Sequence, residues 1–256
     1  MAPTFRHGKN SRLIVNSVDA SSLFTEMTIS HSVDAPDVTT FGNNDRNFVA
    51  GQRDATISAS GLLDGSTAGT GDPFKTFRSA LGSTSDLVIT AIPGGPGGST
   101  VTVGSLCRLG AGVETSFETA APAMGVVTAS FEAQCDGRLG VGRTLYGPGG
   151  AKTSTFAAAG VDCGVAGGTT GGGIAHFHIT SASTITSGVT LKVQHSSNNS
   201  AWSDIATFTS TSTGSQRTIY SSSVKRYTRA AITAISGGAG KSIRYVVAFS
   251  RNKTVI

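Results

Sequence analysis

Alternation of apolar and polar residues in four segments of the first half most narrows what this chain can become. Leu23, Met27 and Ile29 alternate with Glu26, Thr28 and Ser30, and Ala55, Ile57 and Ala59 with Asp54, Thr56, Ser58 and Ser60. Val113 and Phe117 are set against Glu114, Ser116 and Glu118, and Val127, Ala129 and Phe131 against Thr128, Ser130, Glu132 and Gln134. Successive side chains of a strand point to opposite faces, so a two-residue period marks antiparallel strands that are buried on one side and wet on the other. The wet side consists of hydroxyls, acids and one amide, with no Lys or Arg. Such a face reads either as an ordinary solvated surface or as the wall of a pore that carries a polyanion. A cationic wall making roughly 6–10 phosphate contacts would bind strongly and with a steep salt dependence. Acids and hydroxyls leave a polyanion free to slide.

Around these segments the pattern predicts strands at 12–16, 23–32, 53–63, 86–92, 99–109, 112–120 and 126–136, and a long loop at 35–51. A short helix is expected over 73–81. Asp72 is placed to cap it, Pro73 fits the first helical position and Gly82 stops it. Phe74, Phe77 and Leu81 would then face a sheet. Beyond residue 150 the pattern predicts strands alone, at 155–165, 174–180, 189–195, 202–208, 216–221, 226–235 and 243–250, the spacing of a β-sandwich or jelly roll.

Two domains are expected, at 1–146 and 153–256, joined by a Gly/Pro linker at 147–152. The charge changes sign at the same place. Residues 1–150 carry ten Lys/Arg against thirteen Asp/Glu, and residues 151–256 carry ten against Asp162 and Asp204 alone. Such asymmetry suggests surfaces with different partners. Gly and Pro at 93–98 read as a hairpin loop. Cys107, Cys135 and Cys163 are too few and too scattered for a disulfide framework or a zinc site, and read as free, partly buried thiols. No apolar run approaches the roughly 18 residues needed to cross a bilayer, so no membrane insertion is expected. The first residues lack an apolar secretion signal, which suggests synthesis in a cytoplasm.

Catalytic and cofactor signals are weak, and neither an enzyme nor a cofactor is expected. Gly237-Gly238-Ala239-Gly240-Lys241-Ser242 resembles a phosphate loop, but Ile235 occupies the position of its first glycine and a strand follows in place of a helix. It reads as a hairpin turn. His176 and His178 share one strand face without an evident carboxylate or thiolate partner, so no metal site is expected. Trp202 reads as packed in the sandwich, or otherwise as a platform for a sugar ring. Asn198-Asn199 suits the turn before it.

The run from Asp34 to Gly42, continuing through Arg46 and Gly51 to Arg53–Asp64, resembles the signature region of siphophage major tail tube proteins. His7-Gly8-Lys9 and Asn16–Ser21 are similar to the start of the same family. The likeness covers roughly residues 5–140. It implies a β-sandwich or barrel with one flanking helix, assembled into six-membered rings that stack into a virion tail. The four polar-faced strands would then close an inner barrel through which DNA passes without specific binding. It also implies that the loop bearing Pro36, Asp37, Phe41, Gly42, Arg46 and Phe48 reaches the neighbouring ring, with a mobile surface loop as the plainer alternative. Tape-measure and tail-terminator proteins would be further partners. Residues 153–256 look like the Ig-like or jelly-roll sandwich that some such proteins carry outside. Its Lys225, Arg226, Arg229 and Arg244 would give affinity for an anionic host-surface polymer, or else serve solubility. Two other readings stay open: a glycan-binding β-sandwich module, and the related tube of a bacterial injection machine.

Overall fold

The computed structural model describes residues 8–63, 73–95, 100–137, 139–164 and 171–251. Asp72, Pro96 to Gly98 and Lys253 lie outside them. In chain order the elements are β1 (Arg12–Val15), β2 (Val18–Asp19), β3 (Phe24–Val33), β4 (Arg53–Leu62), α1 (Pro73–Ala80), β5 (Leu87–Ile92), β6 (Leu106–Ala120) and β7 (Thr128–Cys135). They continue with β8 (Gly140–Tyr146), β9 (Phe156–Ala157), β10 (Val161–Asp162), β11 (Gly173–Ser196), β12 (Ser203–Ser210), β13 (Gly214–Tyr220) and β14 (Tyr227–Ser250). The protein is mainly β, and its strand pairings are antiparallel.

Two compact units emerge, and their boundary does not follow the expected one. One unit comprises Met1–Ser22, Val88–Leu109 and Gly140–Ile256; the other comprises Leu23–Leu87 and Gly110–Leu139. The physical reason lies in the first unit's core. Ile14, Ile92, Cys107 and Leu109 pack in one buried cluster with Ile174, Val246 and Ala248. Strand β8, for which the glycine-rich sequence gives no alternation signal, pairs with β14 through Val247↔Tyr146 and Phe249↔Arg143. The stretch 147–152 therefore connects parts of one core. Its last residue, Lys152, bridges to Ile243.

Strands β11 and β14 form the spine of this unit, paired from Ile174↔Ser250 to Ser196↔Tyr227. Each was expected as two strands, yet each is continuous over 24 residues. Ser183 pairs with Ser242 and Ile185 with Gly237, so residues 238–241 are extra opposite Thr184. The Gly-rich run is thus a large bulge inside β14, where a hairpin turn was expected. Residues 173–179 of β11 are buried on both faces. Ala175, Phe177 and Ile179 enter a second core with Leu191, Val193, Phe208 and Tyr245.

The opposite side of β11 carries His176 and His178 in a buried polar chain. His178 Nδ1 donates to the Asn16 carbonyl (2.6 Å), which leaves Nε2 to accept from Thr90 Oγ1 (2.8 Å). That hydroxyl in turn accepts from His176 Nδ1 (3.1 Å). Both rings are fully buried, and desolvation holds both below the ordinary histidine range, His178 at about 4. The chain fits neutral imidazoles and satisfies both nitrogens of His178, while His176 Nε2 stays buried without a partner among the described residues. No cluster of metal ligands occurs among the described residues. Cys107 and Cys135 are buried free thiols, and Cys163 is half-buried and free.

The other unit is a four-stranded sheet, β3–β4–β7–β6, with α1 as its only described helix. Ala55, Ile57, Ala59, Phe131 and Ala133 are buried on its apolar face. Phe77 of α1 stacks on Phe131 at 4.8 Å, and Phe24 completes the cluster at 5.8 and 5.9 Å. Leu81 follows the last helical residue and is exposed, because Gly82 turns the chain at φ +75°.

Truncating Phe131 to Ala removes the ring at the centre of this cluster. Stability should fall by about 3–5 kcal/mol, read from the urea midpoint at unchanged m. A second expectation concerns pH. The folded state keeps His178 neutral, whereas the unfolded chain takes up a proton below about pH 6.5. Stability from this group is complete above that pH and declines as pH falls towards 4. The stability gap between wild type and His178→Gln should therefore narrow over this window, by at most about 3 kcal/mol. A constant gap would show that the ring takes up its proton equally in the folded and unfolded states.

Candidate functional site

The pairing register of the four-stranded unit places the expected polar residues in cross-strand rows. Glu26 pairs with Ser60, Ser60 with Ser130, and Ser130 with Glu118. The next row runs Thr28, Ser58, Glu132, Ser116. A third runs Ser30, Thr56, Gln134 and Val113, and Asp54 and Thr128 lie at opposite ends of the same face. Gln134 Nε2 donates to Asp54 and to the Ala55 carbonyl, at 3.3 Å in the latter case. Glu26, Thr28, Ser58, Ser116, Glu118 and Glu132 border a shallow concavity of about 310 Å³. No Lys, Arg or His lies in these rows. Arg53 and His31 have the parity of the apolar face, since they pair with Val33 and Ala55.

Glu114 is the exception, and it corrects the sequence pattern. Thr115 is an extra residue between the pairs Glu114↔Ala133 and Ser116↔Glu132. This bulge shifts the alternation by one, so Val113 turns to the wet face, 38% exposed, and Glu114 to the apolar face, 4% exposed. Both Glu114 carboxylate oxygens are buried without a hydrogen-bond partner. Desolvation raises its pKa to about 7. A second bulge, at Thr25 between Phe24↔Gly61 and Glu26↔Ser60, lies in the other outer strand. Both bulged threonines use their hydroxyls in the same way. Thr115 Oγ1 donates to the Glu132 carbonyl and Thr25 Oγ1 to the Ser60 carbonyl, each at 3.2 Å.

Both lateral edges of this sheet are open. Among the described residues, β3 pairs only with β4, and the Ser116–Ala120 end of β6 pairs only with β7. The expected long loop is an ordered arm. Asp34 N donates to Gln52 O (2.9 Å), Asp37 bridges to Phe48, and Val38 N donates to Asn47 O (2.8 Å). Asp37 Oδ1 accepts from Thr39 N at 2.9 Å, and the tip closes with Asn43 N to Thr40 O at 3.0 Å. Pro36, Asp37, Phe41, Gly42, Arg46 and Phe48 are all exposed, Phe41 completely. The opposite end of the sheet presents Met124, Val126 and Leu62, also exposed.

The four basic residues expected to act together in the other unit differ in kind. Arg226 forms a two-pronged pair with Asp162 (2.6 and 2.9 Å), which holds that carboxyl down at about 2. Arg229 lies over Trp202 at 4.3 Å and donates Nε to Gln194 Oε1 at 2.9 Å. Arg244 is exposed. Lys225 is half-buried and donates its backbone N–H to His195 Nδ1. Trp202 is packed under Arg229, and Asn199 makes the preceding turn at φ +59°.

No family model matches the chain, and no curated protein matches it significantly. Among solved structures it is similar to a chain in the virion of a native gene transfer agent particle, with TM-score 0.39 and 17% identity, over 54% of this chain and 98% of that one. A chain in the tail of an empty particle of the same kind, computed with C6 symmetry, gives 0.37 and 18%, over 50% and 94%. The SPP1 Dit (gp 19.1) protein gives 0.38 and 12%, over 94% and 99%. These likenesses are too loose to define a family for the chain.

Glu114 yields a test of the bulge. Its folded pKa of about 7 exceeds the ordinary 4.5, so the folded state holds a proton that the unfolded chain has lost between these values. Stability from this group is full below pH 4.5 and is lost as pH rises through 7. Glu114→Gln should stabilise the protein by about 1–3 kcal/mol at pH 8, the gain vanishing near pH 4.5. Destabilisation at pH 8 would mean that the carboxylate faces solvent or a partner.

Proposed function

We propose that this chain is a structural subunit of a phage tail tube, forming six-membered rings that stack around a DNA path. The observation that carries this reading is the four-stranded sheet with a concave, cation-free polar face and two open edges. Pairings β3–β4, β4–β7 and β7–β6 are all antiparallel, so β3 and β6 run in opposite directions. A second copy can therefore add its β3 to the free edge of β6 and continue the sheet in the same sense. An open edge left uncovered invites uncontrolled association, and ring closure removes it. The resemblance of residues 34–64 to tail tube proteins supplies the ring size, the stacking and the partners: tape-measure protein, tail terminator and passing DNA.

In this assembly Glu26, Glu118 and Glu132, with the intervening Ser and Thr residues, face the lumen. Acids repel phosphate and hydroxyls hold it weakly, so DNA is confined without being retained. Glu114 does not take part. The arm with Phe41 and Phe48 at one end of the sheet, and Met124 with Val126 at the other, provide the apolar surfaces for head-to-tail stacking.

Electron microscopy of the purified full-length protein at high concentration should show rings or tubes with a central hole wide enough for a duplex. Monomers alone under all conditions would overturn the proposal. Changing Glu118 and Glu132 to Lys should leave assembly intact and slow DNA ejection from particles, more strongly at low salt. Ejection at the wild-type rate would remove these residues from the DNA path.

A further inference from the structure

A groove in the unit built on β11 and β14 carries positive charge that the protein leaves uncompensated. It has a volume of about 300 Å³, with Phe156 on one side, Gln194 and Arg229 on the other, and Ala231 to Thr233 along it. Strand β9 sets the width, because Ala157 pairs with Ala231 and Phe156 with Ile232. Arg12, Lys192 and Arg226 form ion pairs with Asp19, Asp204 and Asp162. Arg229 does not. Its nearby acid, Asp204, is taken by Lys192, and Asp204 Oδ1 also accepts from Gln194 Nε2 at 2.7 Å. That bond fixes the Gln194 amide with its oxygen towards Arg229 Nε. Trp202 then holds the guanidinium from one face. The Nη groups have no hydrogen bond among the described residues. Lys152, outside the lining itself, places Nζ 3.9 Å over the ring of the lining residue Phe156, without an ion-paired carboxylate among the described residues.

Two cations are thus steadied by aromatic rings and an amide, which orient them without neutralising them. A guanidinium with a free fork matches an oxyanion. The neighbouring ring, apolar floor and threonines suit the mixed surface of a hydroxyl-rich chain. We infer that this groove binds the carboxylate or phosphate of an anionic cell-surface polymer, such as a polyuronate or a polyol phosphate. The inference does not depend on tube formation, because every residue of the groove belongs to the one unit. Of the basic surface expected from the sequence it keeps Arg229 alone, and it adds Lys152 from the expected linker. Arg226 is excluded because Asp162 already occupies it.

Trp202 is the chain's single tryptophan and touches Arg229, so its fluorescence reports on this site. The full-length protein would be titrated with polygalacturonate as the carboxylate probe, poly(glycerol phosphate) as the phosphate probe, and dextran as the neutral control. A saturable change with one or both anionic polymers, and none with dextran, is expected. Arg229→Gln should weaken it by about tenfold or more. Arg229→Lys, which keeps the charge, should retain part of the binding, and the exposed Arg244→Gln should leave it unchanged. Circular dichroism of each variant establishes that it is folded. Which polymer responds distinguishes the two sources of the oxyanion. Equal loss in Arg244→Gln, equal response to dextran, or no response to either anionic polymer overturns the site. Each of these results is independent of whether rings form.

Discussion

Strand register governs the polar sheet. A slip of one residue in an antiparallel pair exchanges the two faces. In this unit the eight-residue ladder between β4 and β7 has no irregularity, from Ala55↔Cys135 to Leu62↔Thr128. It fixes the centre, with apolar Ile57, Ala59, Phe131 and Ala133 on one side and their hydroxyl and acid neighbours on the other. The outer strands β3 and β6 each carry one bulge, and these set how far the same pattern extends. A bulged threonine returns its hydroxyl to the facing carbonyl in both cases, so the interruption does not leave that acceptor bare.

The consequence at Glu114 is energetic as well as geometric. A carboxylate carried onto an apolar face loses hydration and gains no donor in return. The raised pKa is the visible result. The polar rows thereby end at Val113, and the acids that remain on the concave face are Glu26, Asp54, Glu118 and Glu132. Removal of one acid from the rows leaves their sign unchanged, because no cation enters in exchange.

The second unit solves a different problem. Strands β11 and β14 are buried on both faces along part of their length, so their alternate residues need a partner on each side. Phe177 and Ile179 find an apolar core. His176 and His178 find Thr90 and the Asn16 carbonyl, which fit neutral rings and satisfy all their nitrogens except His176 Nε2. Further along the same ribbon, Gln194 and Arg229 reach the surface, where Asp204 and Trp202 orient them. One pair of strands therefore carries a neutral buried network at one end and an uncompensated guanidinium at the other.

The sequence by itself determined the alternation of β3, β4 and β7, the mainly β class, the helix around Phe77 and the absence of cations from the polar rows. These are local properties, set by alternation, by Pro73 and Gly82, and by residue type. It also showed a resemblance in residues 34–64, whose arm is ordered and exposed. Only the tertiary structure decided which strands meet. Nothing near 147–152 signals that Ile14 and Leu109 share a core with Val246, because such contacts join residues far apart in the chain. The bulge at Thr115 was equally hidden: Val113-Glu114-Thr115-Ser116 alternates well on paper, and only the ladder with β7 shows that one residue is extra. The continuity of β14 through Gly237–Lys241 has the same origin, since β11 holds both sides of a segment that reads locally as a turn. Charge could be counted from the sequence. Its compensation could not, because that depends on which acid lies beside which base in space.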